Sequence, residues 1–122
     1  MIQNIKIFKL ATLLMGISVA LGAAVAHALE NTLTTKALET FQTGARYQLY
    51  QALGLLILST IKLNKGSLRF VYLMIFGTFF FSGNCYIYAF TQQKIFAHLV
   101  PLGGVSIIVS WLGLFFTVKK EN

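Results

Sequence analysis

The residues of this chain that could do chemistry are few and far apart. Its 122 residues include two histidines, His27 and His98, three carboxylates, Glu30, Glu39 and Glu121, and one cysteine, Cys85. A neutral imidazole can ligate a metal or relay a proton near neutral pH. Two isolated imidazoles without a third ligand or an orienting carboxylate do not make a zinc or haem centre. A single cysteine cannot close a disulfide within the chain, and Cys-x-x-Cys and Cys/His metal spacings are both missing. Cys85 lies in an apolar run and reads as a small packed hydrophobe. Paired carboxylates, a nucleophile–base pair and a nucleotide-binding loop are also absent. The reading is therefore no enzymatic activity, no cofactor and no metal.

The remaining polar residues of interest, Gln48, Gln51, Ser82 and Asn84, stand inside long uncharged stretches, which raises the question of the medium around them. The chain is 57% hydrophobic and only 11% charged, against about 25% charged for a soluble domain. So short a chain cannot hide that much apolar area from water. Lipid is the solvent that fits. The net charge of +7 does not point to nucleic acid, because the Lys and Arg residues sit in short clusters between uncharged runs. That pattern orients membrane helices and provides no stripe for reading phosphates.

The elements follow from run lengths. Leu10–Leu29, Phe70–Gln93 and Ile95–Val118 carry no permanent charge, and each is long enough to cross a hydrocarbon core of about 30 Å. A fourth stretch, Tyr47–Ile61, is shorter. It spans if Arg46 and Lys62 extend their aliphatic stems to the two interfaces. The expected fold is all-α, a single four-helix transmembrane bundle over residues 1–122 with short connections, its helices at about 7–29, 45–62, 69–91 and 98–118. The loop from Glu30 to Gly44 has room for a separate short helix, capped by Thr34 or Thr35, that rests Leu38 and Phe41 on the outer bilayer surface. With four spans, Lys6, Lys9, Lys62, Lys65, Arg69, Lys119 and Lys120 share one side and only Lys36, Arg46 and Lys94 the other. The positive-inside rule then places both termini in the cytoplasm. The first run, with Ala24-Val25-Ala26 or Ala26-His27-Ala28 near its end, imitates a cleaved signal peptide. It is longer than a signal core and reads as a retained helix.

Helices in lipid associate through close packing, so small residues mark contact faces. Gly16, Ala20, Ala24 and Ala28 form a stripe on the first helix, widened by Ser18, Gly22 and Ala26. Gly103, Ser106, Ser110 and Gly113 form another on the fourth. Both are expected to sit against other helices, with each other as one pairing and a second copy of the chain as another. Phe76, Phe79, Phe80 and Phe81 read as lipid-facing and packing residues of the third helix. The topology places His27, Gln48, Gln51, Ser82, Asn84, His98, Gly103 and Gly104 in the outer half as one polar cluster, with Pro101 opening the start of the last helix. The plainest role for such a cluster is hydrogen bonding across helices, worth about 0.6 kcal/mol per bond. The alternatives are a small-solute or ion site and a docking site for a partner or a lipid headgroup.

Four blocks of the chain carry a family resemblance: Ala20-Leu-Gly-Ala-x-x-Ala-His-x-Leu29, Phe41-Gln-Thr-Gly-x-x-Tyr-Gln48, Phe81-Ser-Gly-x-x-Tyr86, and Pro101-x-Gly-Gly-x-Ser106 followed by Trp111. In these the chain resembles the domain-of-unknown-function 423 family of small bacterial inner-membrane proteins, related to the transmembrane protein 256 group. It departs from the family pattern at Gln51, where a His is common, and at Ser110, where Gly is common. An amide cannot titrate, so a family-wide metal or proton relay at Gln51 does not carry over. The resemblance implies four helices and a plasma-membrane location, and it transfers no activity.

The function expected from the residues is that of a non-enzymatic accessory or scaffold. It would act through helix contacts in the bilayer with a membrane-protein partner or a second copy. An oligomeric small-solute or ion transporter is the alternative. Glu30, Glu39 and Glu121 fall in loops or the tail, so proton coupling would have to rest on His27. Reporter fusions at Lys65 and at Lys120 test the topology: both should report the cytoplasm, and opposite faces would refute the even span count.

Overall fold

Short polar side chains open the helices of this chain, accepting from backbone N–H groups that have no partner in the first turn. In the computed structural model, which describes residues 1–120, Asn4 accepts from Ile7 N at 3.0 Å, Thr34 from Ala37 N at 3.2 Å and Asn64 from Ser67 N at 2.8 Å. These caps start α1 (Ile5–Ala24), α2 (Thr35–Leu58) and α3 (Lys65–Thr91). The last turn of α1 continues as a π-helix over Val25–Leu29. Only Gln92 and Gln93 separate α3 from α4 (Lys94–Thr117). Gln92 takes a left-handed backbone, φ 56°, and donates its N–H to Tyr88 O, so the chain reverses at once. The described residues form helices and turns, with no strand. Glu121 lies outside them.

α1 with its π-helical end, α3 and α4 are each long and apolar enough to cross a membrane. α2 differs from expectation. It has no separate surface helix before it, because the segment capped by Thr34 runs unbroken to Leu58. The polar residues Lys36, Glu39, Thr40, Gln42 and Thr43 suggested a loop. They occupy the exposed or half-exposed side of a helix whose other side buries Ala37, Phe41, Gly44, Ala45 and Gln48. The spacing of those buried positions is helical, and tertiary packing completes what run length alone did not show. Arg46 consequently stands near the middle of α2 and does not mark its start. α4 also begins earlier than expected, which places Pro101 and His98 inside the helix.

Backbone and side-chain hydrogen bonds tie the ends together. Gln3 N and Asn4 N both donate to Ser59 O, at 2.7 and 3.0 Å. Asn64 Nδ2 donates to Thr117 O at 2.8 Å, and the hydroxyls of Ser67 and Thr117 lie 3.0 Å apart. The start of α1, the end of α2, the start of α3 and the end of α4 therefore meet at one end of the bundle, here the termini end. The α1–α2 loop and the α3–α4 turn lie at the opposite, loop end.

Neighbours in sequence are neighbours in space: α1 packs on α2, α2 on α3, and α3 on α4. The main core at the termini end gathers Ile7, Ala11 and Leu14 of α1 with Leu55 of α2, Val71 and Met74 of α3 and Leu114 of α4. A second cluster at the loop end holds Val25, Ala37, Phe41 and Ala89. The rings of Tyr86 and Phe90 sit 5.0 and 5.9 Å from Phe41 there.

The glycines of α4 work against α3, and the expected pairing of α4 with α1 does not occur. A Cβ placed on Gly103 would lie 2.5 Å from Phe81 N, and one on Gly113 would run into the Phe70 ring. Ser110 is buried and donates to Ser106 O at 2.7 Å. α1 is the correction to the packing expectation. Gly16, Ala20 and Ala28 are exposed and Ala24 is only half-buried, and a Cβ on Gly16 would meet nothing within 4 Å. α1 buries the face of Ile7, Ala11, Leu14 and Ser18, which places its smallest residues on the opposite side. The aromatic residues divide as their positions suggest: Phe76 and Phe79 are exposed, while Phe80 and Phe81 are half-buried.

These contacts set an asymmetry between two glycines. Gly103→Ala should lower the thermal midpoint in detergent, consistent with an overpacking loss of about 1–3 kcal/mol. Gly16→Ala should leave the midpoint unchanged or slightly raised. Equal midpoints for the two variants would contradict the α3–α4 approach.

Candidate functional site

An amide buried among helices needs partners for both its oxygen and its nitrogen. Gln48 on α2 finds them on two different helices. Its Nε2 donates to Leu14 O of α1 at 3.0 Å, and its Oε1 accepts from the Tyr86 hydroxyl of α3 at 2.6 Å. Nearby, Ser82 Oγ of α3 donates to Gly44 O of α2 at 2.7 Å. Gly44 permits this approach, since a Cβ there would lie 2.7 Å from the Cβ of Cys85. Gln48, Ser82 and Tyr86 border a cleft of about 210 Å³ between α1 and α3, completed by Ile17, Thr78 and Phe79. One glutamine thus holds three helices in a single register.

Gln51, one turn further along α2, makes the second cross-helix bond. Its Oε1 accepts from Trp111 Nε1 of α4 at 2.8 Å. The Trp111 ring lies over Gly54, where a Cβ would come within 2.6 Å of the indole. The backbones of α2 and α4 do not adjoin, so the indole reaches across the gap. Among the described residues every buried side-chain nitrogen and oxygen has a hydrogen-bond partner.

The other expected members of the polar cluster are elsewhere. Asn84 is buried but donates to Phe80 O of its own helix at 2.7 Å. His27 is exposed on the π-helical end of α1, and His98 is exposed on α4. Those two helices do not adjoin, which separates the two imidazoles. Gly103 is buried against the Phe81 backbone, and Gly104 is half-buried 3.7 Å from the Phe81 ring, measured to an added Cβ. The outer-half cluster is therefore not one site. The ten extra residues at the start of α2 move its midpoint to Arg46 and Tyr47, so Gln48 and Gln51 lie toward the termini end, beyond that midpoint. Ser82 and Asn84 lie on the loop-end side of the middle of α3. Cys85 is buried, and the described residues hold no group of three metal-capable side chains.

Two residues central to this network, Tyr86 and Trp111, were not among the candidates. The signal was present. A phenol or an indole placed in an apolar helix needs an acceptor when buried, and the two glutamines of α2 are the long-armed acceptors available. The arrangement can orient and hold helices. Its groups are amides, hydroxyls and an indole, and none is an activated nucleophile paired with a base.

A family described as proteins of unknown function (DUF423) matches residues 21–104, the stretch that contains Gly44, Gln48, Ser82 and Tyr86. The chain belongs to this family. Relatives are spread across bacteria. A UPF0382 membrane protein of Staphylococcus saprophyticus is 41% identical over 105 residues, covering 84% of this chain and 88% of the relative. The UPF0382 membrane protein YwdK of Bacillus subtilis is 38% identical over 108 residues, covering 85% and 88%. The UPF0382 inner membrane protein YgdD of Escherichia coli is 36% identical over 98 residues, covering 78% and 75%. No solved structure matches. With three helices fit to span, the chain is a multi-pass membrane protein of an uncharacterised family.

Trp111 is the only tryptophan, so the indole emission comes from this one site and responds to the loss of the Gln51 bond. Gln51→Leu should shift that emission to the blue. Combined with Trp111→Phe in a double-mutant cycle, it should show a coupling of about 0.6–1.7 kcal/mol. An unchanged spectrum and zero coupling would remove this bond from the account.

Proposed function

We propose that this protein is a non-enzymatic accessory or scaffold of the bacterial inner membrane, both termini cytoplasmic, that works by holding a transmembrane helix of a partner against α1. The observation that carries this reading is the unused small-residue face of α1. Gly16, Ala20 and Ala23 are exposed on the side turned away from the protein's own core. Leu13 and Ile17 flank this strip on one side and Thr12 and Val19 on the other, which leaves a shallow channel along the helix. In lipid such a channel is where another helix gains the most contact, because its backbone can approach closely.

The interior supports the same reading. Its polar groups are paired with one another, and its hydrogen bonds join helices of the protein itself. The inner-membrane location takes its support from the name of the Escherichia coli relative. Only a proton-coupled form of the transport alternative needs a titratable group within a shared polar site. His27 stands exposed at the end of α1 and Glu39 is exposed near the start of α2, so neither joins the network of Gln48 and Ser82.

The test uses the single native cysteine to advantage. In a Cys85→Ser background, Ala20→Cys should form oxidant-induced disulfide or short cross-linker adducts in native membranes, while Phe116→Cys on the exposed side of α4 should form few. Gly16→Leu added to Ala20→Cys should reduce the adduct several-fold. An adduct with another membrane protein or with a second copy supports a helix partner at this face and identifies it. No adduct, or equal adducts at both positions, would refute it.

A further inference from the structure

Arg46 is the one charged residue in the middle of α2, and its surroundings are unlike those of the other cations, which sit at helix ends and in turns. At 3.6 residues per turn it falls opposite Phe41, Gln48 and Leu55, on the face away from the core, and it is exposed. No carboxylate pairs with it among the described residues, although Glu39 stands two turns away on the same side of α2. A guanidinium cannot shed its charge, so at this depth it must reach an interface or find an anion.

The structure gives it a cleft. On this side α1 and α2 diverge around a volume of about 400 Å³ bordered by Val19, Gly22, Gln42, Ala45, Arg46 and Leu49. Gly22 keeps it open, because a Cβ there would meet nothing within 4 Å. The cleft has a polarity gradient. Gln42 and Arg46 lie toward the loop end, and Val19 and Leu49 continue it toward the middle of the bundle, where the one polar side chain, Ser18, donates its hydroxyl to Leu14 O of its own helix. A charged head joined to an apolar tail has that shape.

Depth agrees. Arg46 is eleven residues from the start of α2, about 16 Å along the helix. The helical part of the uncharged run after it, Tyr47–Leu58, covers only about 18 Å of a hydrocarbon core of about 30 Å. A short apolar run draws the headgroup layer inward on its side of the bundle. That brings lipid phosphates down toward the guanidinium, whose planar fork suits two phosphate oxygens at once.

We propose that the α1–α2 cleft binds the phosphate of a membrane glycerophospholipid, held by Arg46 and Gln42, with an acyl chain lying along Val19 and Leu49. The site adjoins the Gly16–Ala20 face, with Val19 on the border between them, but it does not depend on the scaffold reading.

The delipidated protein in detergent tests this, with the thermal midpoint and lipid retention in native mass spectra as readouts. Dioleoyl phosphatidylglycerol should raise the midpoint and be retained. Dioleoylglycerol, which lacks the phosphate, should do neither, and nor should inorganic phosphate alone. Arg46→Gln should weaken the apparent lipid affinity about tenfold or more, and Arg46→Lys, which keeps the charge, should keep part of it. Gly22→Leu, which fills the cleft without touching a charge, should weaken it as well. Both positions are exposed, so the lipid-free variants should melt with the parent. Equal effects of the diacylglycerol would mean a plain apolar surface, and equal effects of inorganic phosphate a free-anion site. Either result, or undiminished binding by Arg46→Gln, would overturn the proposal.

Discussion

Helices surrounded by lipid have no water to expel when they meet, so their cohesion depends on how closely the backbones can approach. α3 is the helix on which that requirement falls hardest: like α2 it packs against two neighbours, and its pairing with α4 is the most extensive in the bundle. It meets α2 where Gly44 admits Cys85 and Tyr86, and it meets α4 where Gly103 admits the Phe81 backbone and Gly113 the Phe70 ring. Gly77 of α3 contributes from its own side, with a Cβ there falling 3.0 Å from Ser106. Ordinary side chains at these four places would push the helices apart. The hydrogen bonds of Ser82 and Gln48 would then be out of reach.

The polar groups follow from that approach and reinforce it. Ser82 can donate to a backbone carbonyl of the neighbouring helix only because the glycine at that carbonyl brings the two chains together. Gln48 and Gln51 are the longer devices: one reaches from α2 to both α1 and α3, and the other meets an indole arriving from α4, whose backbone does not adjoin α2. Each bond is modest in lipid. Their directions, however, fix which faces meet, and dispersion alone would leave these faces free to slide.

Much of this architecture was legible from residue types. Three uncharged runs of twenty residues or more can only be membrane helices, and the caps at Thr34 and Asn64 are where short polar residues precede helices. The first half of α2 was not legible by run length, because a charge count treats Lys36, Glu39 and Arg46 as interruptions. The helical period of Ala37, Phe41, Gly44, Gln48 and Gln51 was the better signal there. That boundary error also displaced the polar cluster, since the depth of Gln48 and Gln51 was counted from the wrong start. The small residues of α1 and α4 posed a different difficulty. Composition shows that a face is smooth, but which smooth face turns inward depends on the larger side chains around it. On α1 those are Ile7 and Leu14, which leave Gly16 and Ala20 outside.

Asn64 joins two helix ends of opposite polarity. Its oxygen accepts from Ser67 N at the start of α3, and its nitrogen donates to Thr117 O at the finish of α4. More than fifty residues separate Asn64 from Thr117. The clasp therefore cannot close until α4 has been made: α3 enters the bilayer with the amide nitrogen of its cap unengaged, and this end of the bundle is sealed only when Thr117 arrives. Any quality-control step that reads exposed amides at this end of the bundle would see an unfinished molecule until then.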